Sequence, residues 1–339
     1  RRPAGFEAPE LGAFMHDVLE NVAREAGQRG GFAALSRRDT DAMAEKYVAA
    51  YVSRELNDFR DRSPRFVYLF RRLTATVRQV VGDMAEELRR SDFQPLDFEL
   101  DFSGAGDLPP VELGAGDLRL SGIADRVDGW LHEGRLYLRV VDYKTGRRDF
   151  SLSDVCQGMG LQMLLYLFAL EQQGAVRYGH EIVPAGVLYV PARDAVVSAD
   201  REPDEEELAR ARQRALRRSG LLLAEPAVLR AMEKSDEPAY IPVTYKNGDP
   251  AGKALATAEQ LGLLGRHIQK TLSELAAELR DGALAADPYF RSQNENACAW
   301  CEYQEACHFD EGQDSRRYLI PYKEDAAWAI IRERGEDHG

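Results

Sequence analysis

Asp142 and Lys144 stand two residues apart in R-L-Y-L-R-V-V-D-Y-K-T-G, whose branched and aromatic residues predict a strand over 136–141, stopped by Thr145-Gly146. Side chains alternate along a strand, so Asp142 and Lys144 share one face and Tyr143 takes the other. A carboxylate and an ammonium at a strand end are what metal-dependent phosphodiester chemistry requires. Asp125 lies on the preceding apolar run, S-G-I-A-D-R-V-D, joined through Gly129 and Gly134. Pairing the two runs as a hairpin brings Asp125 beside Asp142, a two-carboxylate site for a hard, oxygen-seeking cation. Asp128 follows near the expected turn, and alternation puts it on the face opposite Asp125, where its loss should spare most activity. Taken alone, a D-x-K at a strand end is usually a solvated edge.

Gln162 and Tyr166 lift the pattern above that reading. Four residues apart on the following helix, they lie on one face of it. The sequence G-x-x-D, then D-Y-K, then Q-x-x-x-Y resembles the PD-(D/E)XK nuclease superfamily, and more narrowly the RecB-like nuclease domain of AddB-type helicase–nucleases. Near the start, Gly12, His16, Leu19 and Glu20 match that family's first motif; near the end stands C-x-x-C-x5-C. Taken alone, His16 beside an apolar helical stripe is more often a buried, satisfied histidine than a ligand. The resemblance implies that His16, Asp125, Asp142 and the Tyr143 carbonyl hold Mg2+ or Mn2+. It also implies that Lys144 directs the attacking water, and that Gln162 and Tyr166 position the lysine or the scissile strand. Arg147 and Arg148, directly after the catalytic strand, are the best candidates for DNA contact. The implied parent is the B subunit of an ATP-dependent helicase–nuclease acting on double-strand breaks with an A-subunit partner. Two rivals remain: a stand-alone RecB- or Cas4-like exonuclease, and a catalytically silent DNA-end clamp.

The elements that must position these residues are legible from periodicity. A helix is expected over 10–26, a second over 41–59 capped by Asp39 or Thr40, and a third from Ser63-Pro64 towards Arg90. Leu96, Phe98, Leu100 and Phe102 alternate with Asp97, Glu99 and Asp101 as a half-buried strand. After the catalytic strands come a helix over 153–173 closed by Gly174, and a buried strand at 186–190 reached by a right-handed crossover. Helices follow over 203–219 and 257–280, and the segment past Asp310 reads as a charged, surface-hugging or mobile tail. The whole is an α/β fold: a mixed central sheet flanked by helices, restriction-endonuclease-like, with N-terminal helices and a Cys-rich C-terminal segment. Residues 1–92 form the helical part carrying His16, 93–310 the nuclease core with the cysteines, and 311–339 the tail.

Several classes are excluded. The 339 residues carry a net charge of −13, which argues against coating nucleic acid through bulk electrostatics. DNA contact must then come from local basic pairs such as Arg71-Arg72, Arg89-Arg90, Arg147-Arg148 and Arg217-Arg218, each of which could equally face water. The longest apolar run, 161–170, is too short for a bilayer, so the protein is read as cytoplasmic. G-A-G-D-L at 104–108 and 114–118 lacks a dinucleotide fingerprint, and the Gly248 region misses both the spacing and the Ser/Thr of a phosphate loop. A chain beginning at Arg1 reads as a fragment or processed product. Of four cysteines, Cys298, Cys301 and Cys307 cluster, as a structural zinc site or inert thiols would. His308 adjoins Cys307 in poor chelate geometry. By resemblance the three are C-terminal ligands of a 4Fe–4S cluster whose fourth ligand lies upstream of the first motif. Cys156 does not match that position, so no intact cluster is expected in this chain.

Overall fold

A computed structural model describes residues 8–60, 63–103, 108–113, 118–146, 149–193, 204–299, 301–310 and 315–336. They fall into two compact units: Arg1–Pro110, Ser121–Phe150 and Met163–Ala258 in the first, and Val111–Leu120, Ser151–Gln162 and Glu259–Gly339 in the second. Arg147, Arg148 and most of both G-A-G-D-L copies lie outside the described residues.

The first unit opens with three helices. α1 (Ala8–Gln28) buries Phe14, Met15, Val18, Leu19 and Val22 along one stripe. α2 (Arg37–Glu55) starts at Ser36, not at Asp39 or Thr40: the Ser36 side chain accepts from the Asp39 amide while the Asp39 carboxylate accepts from the Ser36 amide. That reciprocal box satisfies two of the donors a helix start leaves open. α3 (Pro64–Arg89) begins as expected, with Ser63 capping and Pro64 in the first turn.

The sheet follows. β1 (Gln94–Asp101) buries Phe98 and Leu100, but a bulge between Pro95 and Asp97 leaves Leu96 exposed, so the alternation holds only in its second half. Next in the chain, β2 (Val111–Leu113) and β3 (Leu118–Leu120) pair as a small hairpin of the second unit. β4 (Ile123–His132) and β5 (Arg135–Lys144) form the expected antiparallel hairpin, turning at Glu133-Gly134. The helix expected after them is two: α4 (Leu152–Val155) and α5 (Gln162–Tyr178), separated by Gly158 and Gly160 with φ of 82° and 67°. α5 runs through Gly174 and stops before Gly179, whose φ of 71° suits a helix C-terminus. β6 (Glu181–Pro191) then pairs in parallel with β5, aligning Lys144 with Pro191.

α6 (Glu205–Leu216) leads to β7 (Ser219–Leu223), antiparallel to β6, and then to α7 (Pro226–Met232). The G-D-P-A-G-K-A stretch belongs to a hairpin of β8 (Thr244–Lys246) and β9 (Asp249–Ala251), turning at Asn247-Gly248 with both φ positive. That geometry is a tight hairpin turn, not a phosphate loop. β10 (Leu255–Ala256) closes a six-stranded mixed sheet in the order β1-β4-β5-β6-β7-β10. The expected α/β architecture, with N-terminal helices and a mixed central sheet, is what the chain adopts.

In the second unit, α8 (Ala258–Arg280) and α10 (Glu324–Glu336) pack so closely that a Cβ on Gly335 would crowd the Leu263 carbonyl. Between them lie β11 (Tyr289–Ser292), β12 (Glu295–Asn296), α9 (Gln304–Cys307) and β13 (Arg317–Tyr318). The segment past Asp310 is therefore no loose tail: Ala327, Trp328 and Ile331 are buried. An apolar stripe at i, i+1 and i+4 inside a charged sequence was enough to dock it. Among the described residues no helix is long and apolar enough to cross a membrane.

Candidate metal centre

Four elements of the first unit converge at the C-terminal end of β5. α1 brings His16, β1 brings Glu99, β4 brings Asp125, and β5 brings Asp142, Tyr143 and Lys144. One ligand atom each from His16, Glu99 and Asp125 lie within 4.8 Å of one another. His16 Nε2 stands 3.4 Å from Asp125 Oδ2 and 3.3 Å from the Tyr143 carbonyl oxygen, and Nδ1 stands 3.7 Å from Glu99 Oε1. The Tyr143 amide donates to Asp125 Oδ2 at 2.8 Å. Asp142 lies outside the three-residue group, its carboxylate 2.5 Å from Lys144 Nζ. Glu20 pairs with Arg24 one turn along α1.

Glu99 was not foreseen. Alternation assigned it to the solvent side of β1, which is correct, but that side faces His16 rather than open water. The pairings Phe98 with Arg126 and Leu100 with Ala124 leave Glu99 opposite Asp125. Its φ of 48° is a left-handed conformation inside a strand, costing a non-glycine residue about 1–2 kcal/mol. Strain of that size is retained where surrounding structure demands it, commonly at functional sites.

Charge is crowded here. Burial pushes Asp125 up to about 7; His16 opposes the rise and the neighbouring Asp142 charge reinforces it. Burial works against the His16 imidazolium, yet the Glu99 hydrogen bond, the Asp125 charge and the Tyr143 carbonyl together raise it to about 9. Two carboxylates, Glu99 and Asp125, gather around the imidazole, with Asp142 paired to Lys144 beside them, and a divalent cation suits such a carboxylate-rich site. Carboxylate oxygens, one imidazole nitrogen and a backbone carbonyl form a donor set that fits Mg2+ or Mn2+.

Tyr143 is held at three points. Its amide and carbonyl face Asp125 and His16, while its hydroxyl accepts from Arg126 inside the core. Arg126 belongs to a buried charge network in which Asp128 binds Arg126 and Arg139 at 2.8 and 2.9 Å, and Glu87 binds Arg139 and Arg218 at 3.1 and 2.7 Å. All five side chains are at most 2% exposed. Asp128 does sit opposite Asp125, but it pairs with Arg139 in mid-hairpin rather than near the turn. Arg218, read as half of a surface basic pair, is likewise internal.

Tyr166 is buried, stacked on Phe102 at 5.1 Å, and its hydroxyl fills the space where a side chain on Gly122 would go. The glycine of G-x-x-D thus makes room for the tyrosine of Q-x-x-x-Y. Gln162 is exposed at the first residue of α5. In the second unit all three clustered cysteines are free thiols; Cys298 is half-buried, and Cys301 and Cys307 are exposed. Among the described residues only His16, Glu99 and Asp125 gather within 4.8 Å as a ligand group for a single ion. Cys156 is buried with its Sγ against the Ser153 carbonyl.

A profile described as the PD-(D/E)XK nuclease superfamily matches residues 1–308. The chain is 34% identical to the B subunit of an ATP-dependent helicase/deoxyribonuclease from Acetivibrio thermocellus, aligned over 99% of this chain and 30% of that protein. Proteins of the same description from Ruminiclostridium cellulolyticum and Clostridium novyi are each 32% identical, aligned over 96% and 99% of this chain and 29% and 30% of theirs. The chain thus spans about 30% of the length of the curated relatives it matches.

Proposed function

The chain belongs to the PD-(D/E)XK nuclease superfamily, and from that premise we propose that it is the divalent-metal-dependent deoxyribonuclease domain of a helicase–nuclease complex, carried on the B subunit. Its substrate is single-stranded DNA delivered from an unwound duplex end, cut as an exonuclease. Its partners are DNA and an A subunit, and its place of work is the cytoplasm. One observation carries the reading: His16, Glu99 and Asp125 meet at the Tyr143 carbonyl beside the Asp142–Lys144 pair.

A bound Mg2+ or Mn2+ supplies Lewis-acid polarisation of the phosphoryl group and a more acidic water. His16, Glu99, Asp125 and the Tyr143 carbonyl would hold it, with Asp142 alongside. Asp142 fixes the Lys144 ammonium, 31% exposed and free to donate to the scissile phosphate or to the incoming water. Water adds to phosphorus, the ester bond to the leaving sugar oxygen breaks, and that oxygen takes up a proton. Tyr166 positions β4 through Gly122 rather than touching the reacting atoms. Arg147 and Arg148, three and four residues after Lys144, are assigned to the DNA backbone. A 4Fe–4S cluster at Cys298, Cys301 and Cys307 would need a fourth ligand to join the three thiolates.

The test is cleavage of a labelled oligonucleotide with Mg2+ or Mn2+. Asp142→Asn should abolish it, and Lys144→Ala should lower turnover by about 10²–10³-fold, the scale of losing one transition-state donor, while Mn2+ still binds. Wild-type rates in Asp142→Asn would sink the proposal.

A further inference from the structure

Beside Lys144 the first unit has a pocket of about 350 Å³. It lies past the C-terminal ends of the parallel strands β5 and β6, where open α/β sheets commonly take their ligands. Lys144, Arg193, Arg214 and Arg217 line it, with Tyr189 in its wall and Asp149 the one carboxylate among its lining residues. Four cations to one anion is a strong local excess in a chain of net charge −13.

Among the described residues no ion pair engages these three arginines. Arg217 donates to the carbonyls of Ile241 and Val243, which orients its guanidinium without neutralising it. Arg193 and Arg214 form no ion pair with a carboxylate among the described residues. By contrast Arg89, Arg90 and Arg218 are all engaged internally, with loop carbonyls or with Glu86 and Glu87. The volume is that of a small-ligand site, enough for a nucleotide-sized group.

We propose that this pocket is a phosphate-binding subsite for the DNA strand being cut, in which Arg193, Arg214 and Arg217 grip a phosphate next to the scissile one and so set the strand's register on Lys144. The inference rests on the nuclease reading for the identity of its ligand. Guanidinium groups suit it because their planar donors match phosphate oxygens in pairs. The same chemistry would hold an internal phosphodiester or a terminal phosphomonoester. Lys144 serves both places, its ammonium standing between the acidic centre and the basic pocket.

The experiment measures binding of a short fluorescent single-stranded oligonucleotide to the full chain without divalent metal, across a salt series. Arg193→Ala/Arg214→Ala should raise Kd at least tenfold at low salt and flatten the log–log salt slope by about 0.7 for each phosphate no longer neutralised. With Mg2+ present, KM should rise while kcat changes little. Arg193→Lys/Arg214→Lys should recover much of the salt slope. Oligonucleotides with one neutral methylphosphonate at successive positions locate an internal contact; those with or without 5′- or 3′-terminal phosphate reveal a terminal one. If the double variant does not fold, Arg214→Gln, in the exposed last turn of α6, makes the same comparison. Unchanged affinity and slope in a folded variant overturns the subsite even if the wild-type chain cuts DNA. Weakened, salt-flattened binding in a chain that cuts no DNA keeps the subsite and removes the nuclease reading instead.

Discussion

Glu99→Gln keeps the shape of the Glu99 side chain and deletes its charge, so it separates metal binding from folding. A hydrogen bond or ligand contact made by a charged group carries about 1.5–3 kcal/mol, so Mn2+ affinity should fall at least about tenfold in calorimetric titration. Thermal stability should stay near that of wild type, since the carboxylate is 37% exposed. Unchanged Mn2+ affinity would remove Glu99 from the centre. Asp128→Asn should behave the other way. Neutralising it leaves Arg126 and Arg139 buried with half their compensation, and breaking a buried pair costs about 3–5 kcal/mol. Urea denaturation would read that loss directly, and a loss under about 1 kcal/mol, well below that range, would show that Glu87 compensates alone. Asp125, Asp142 and Lys144 were legible because strand alternation and a short hairpin fix them locally. Glu99 was not, since only the β1–β4 register puts it opposite Asp125, and register between strands over twenty residues apart leaves no local trace. The network around Asp128 was hidden for the same reason: it runs through Arg139 to Glu87 and on to Arg218, which lies 131 residues from Glu87 in sequence.

Helix α1 contains a glycine with no packing reason. A Cβ on Gly12 would meet nothing within 4 Å, although a mid-helix glycine costs about 0.5–1 kcal/mol relative to alanine. Gly12 lies one turn before His16, on the same face of α1. Gly12→Ala should therefore stabilise the fold by about 0.5–1 kcal/mol in thermal or urea melts. If the substrate strand passes there, KM for DNA should rise at the same time. A stabilised variant with unaltered KM would mean that the strand runs elsewhere. At this scale the sequence spoke clearly where one strong signal marked a helix, the apolar stripe for α1 and the Ser63-Pro64 start for α3. It misled where a better local solution existed nearby: Ser36 with Asp39 outcompeted Thr40 as the start of α2, and Gly158 and Gly160 broke one expected helix into two. Likewise α10 looked too polar to fold, but three buried residues gave it a docking stripe.

Taken whole, the molecule keeps three arginines, Arg126, Arg139 and Arg218, buried in ion pairs, while Arg193, Arg214 and Arg217 line the basic pocket. The buried network of Glu87, Asp128, Arg126, Arg139 and Arg218 also makes stability depend on acid. Burial alone would raise the Glu87 carboxyl, but the charges of Arg218, Arg139 and Arg126 outweigh it and hold the group down at about 2, against an ordinary value of 4.5. A carboxylate depressed in the fold stabilises it fully above the unfolded value and loses that contribution as pH falls through the folded one. The window is therefore pH 4.5 down to about 2, and the effect is on the order of 3 kcal/mol. Urea unfolding at pH 7, 4.5 and 3 should show the difference between wild type and Glu87→Gln nearly level between the first two points and falling after. Glu87→Gln leaves three buried guanidinium groups around a neutral amide, so it should be less stable than wild type at pH 7. The gap between the two proteins should then narrow as pH drops from 4.5 towards 2, because acid neutralises in the wild type what the substitution already removed. A gap that stays constant through that range would show that other carboxylates govern the acid limb.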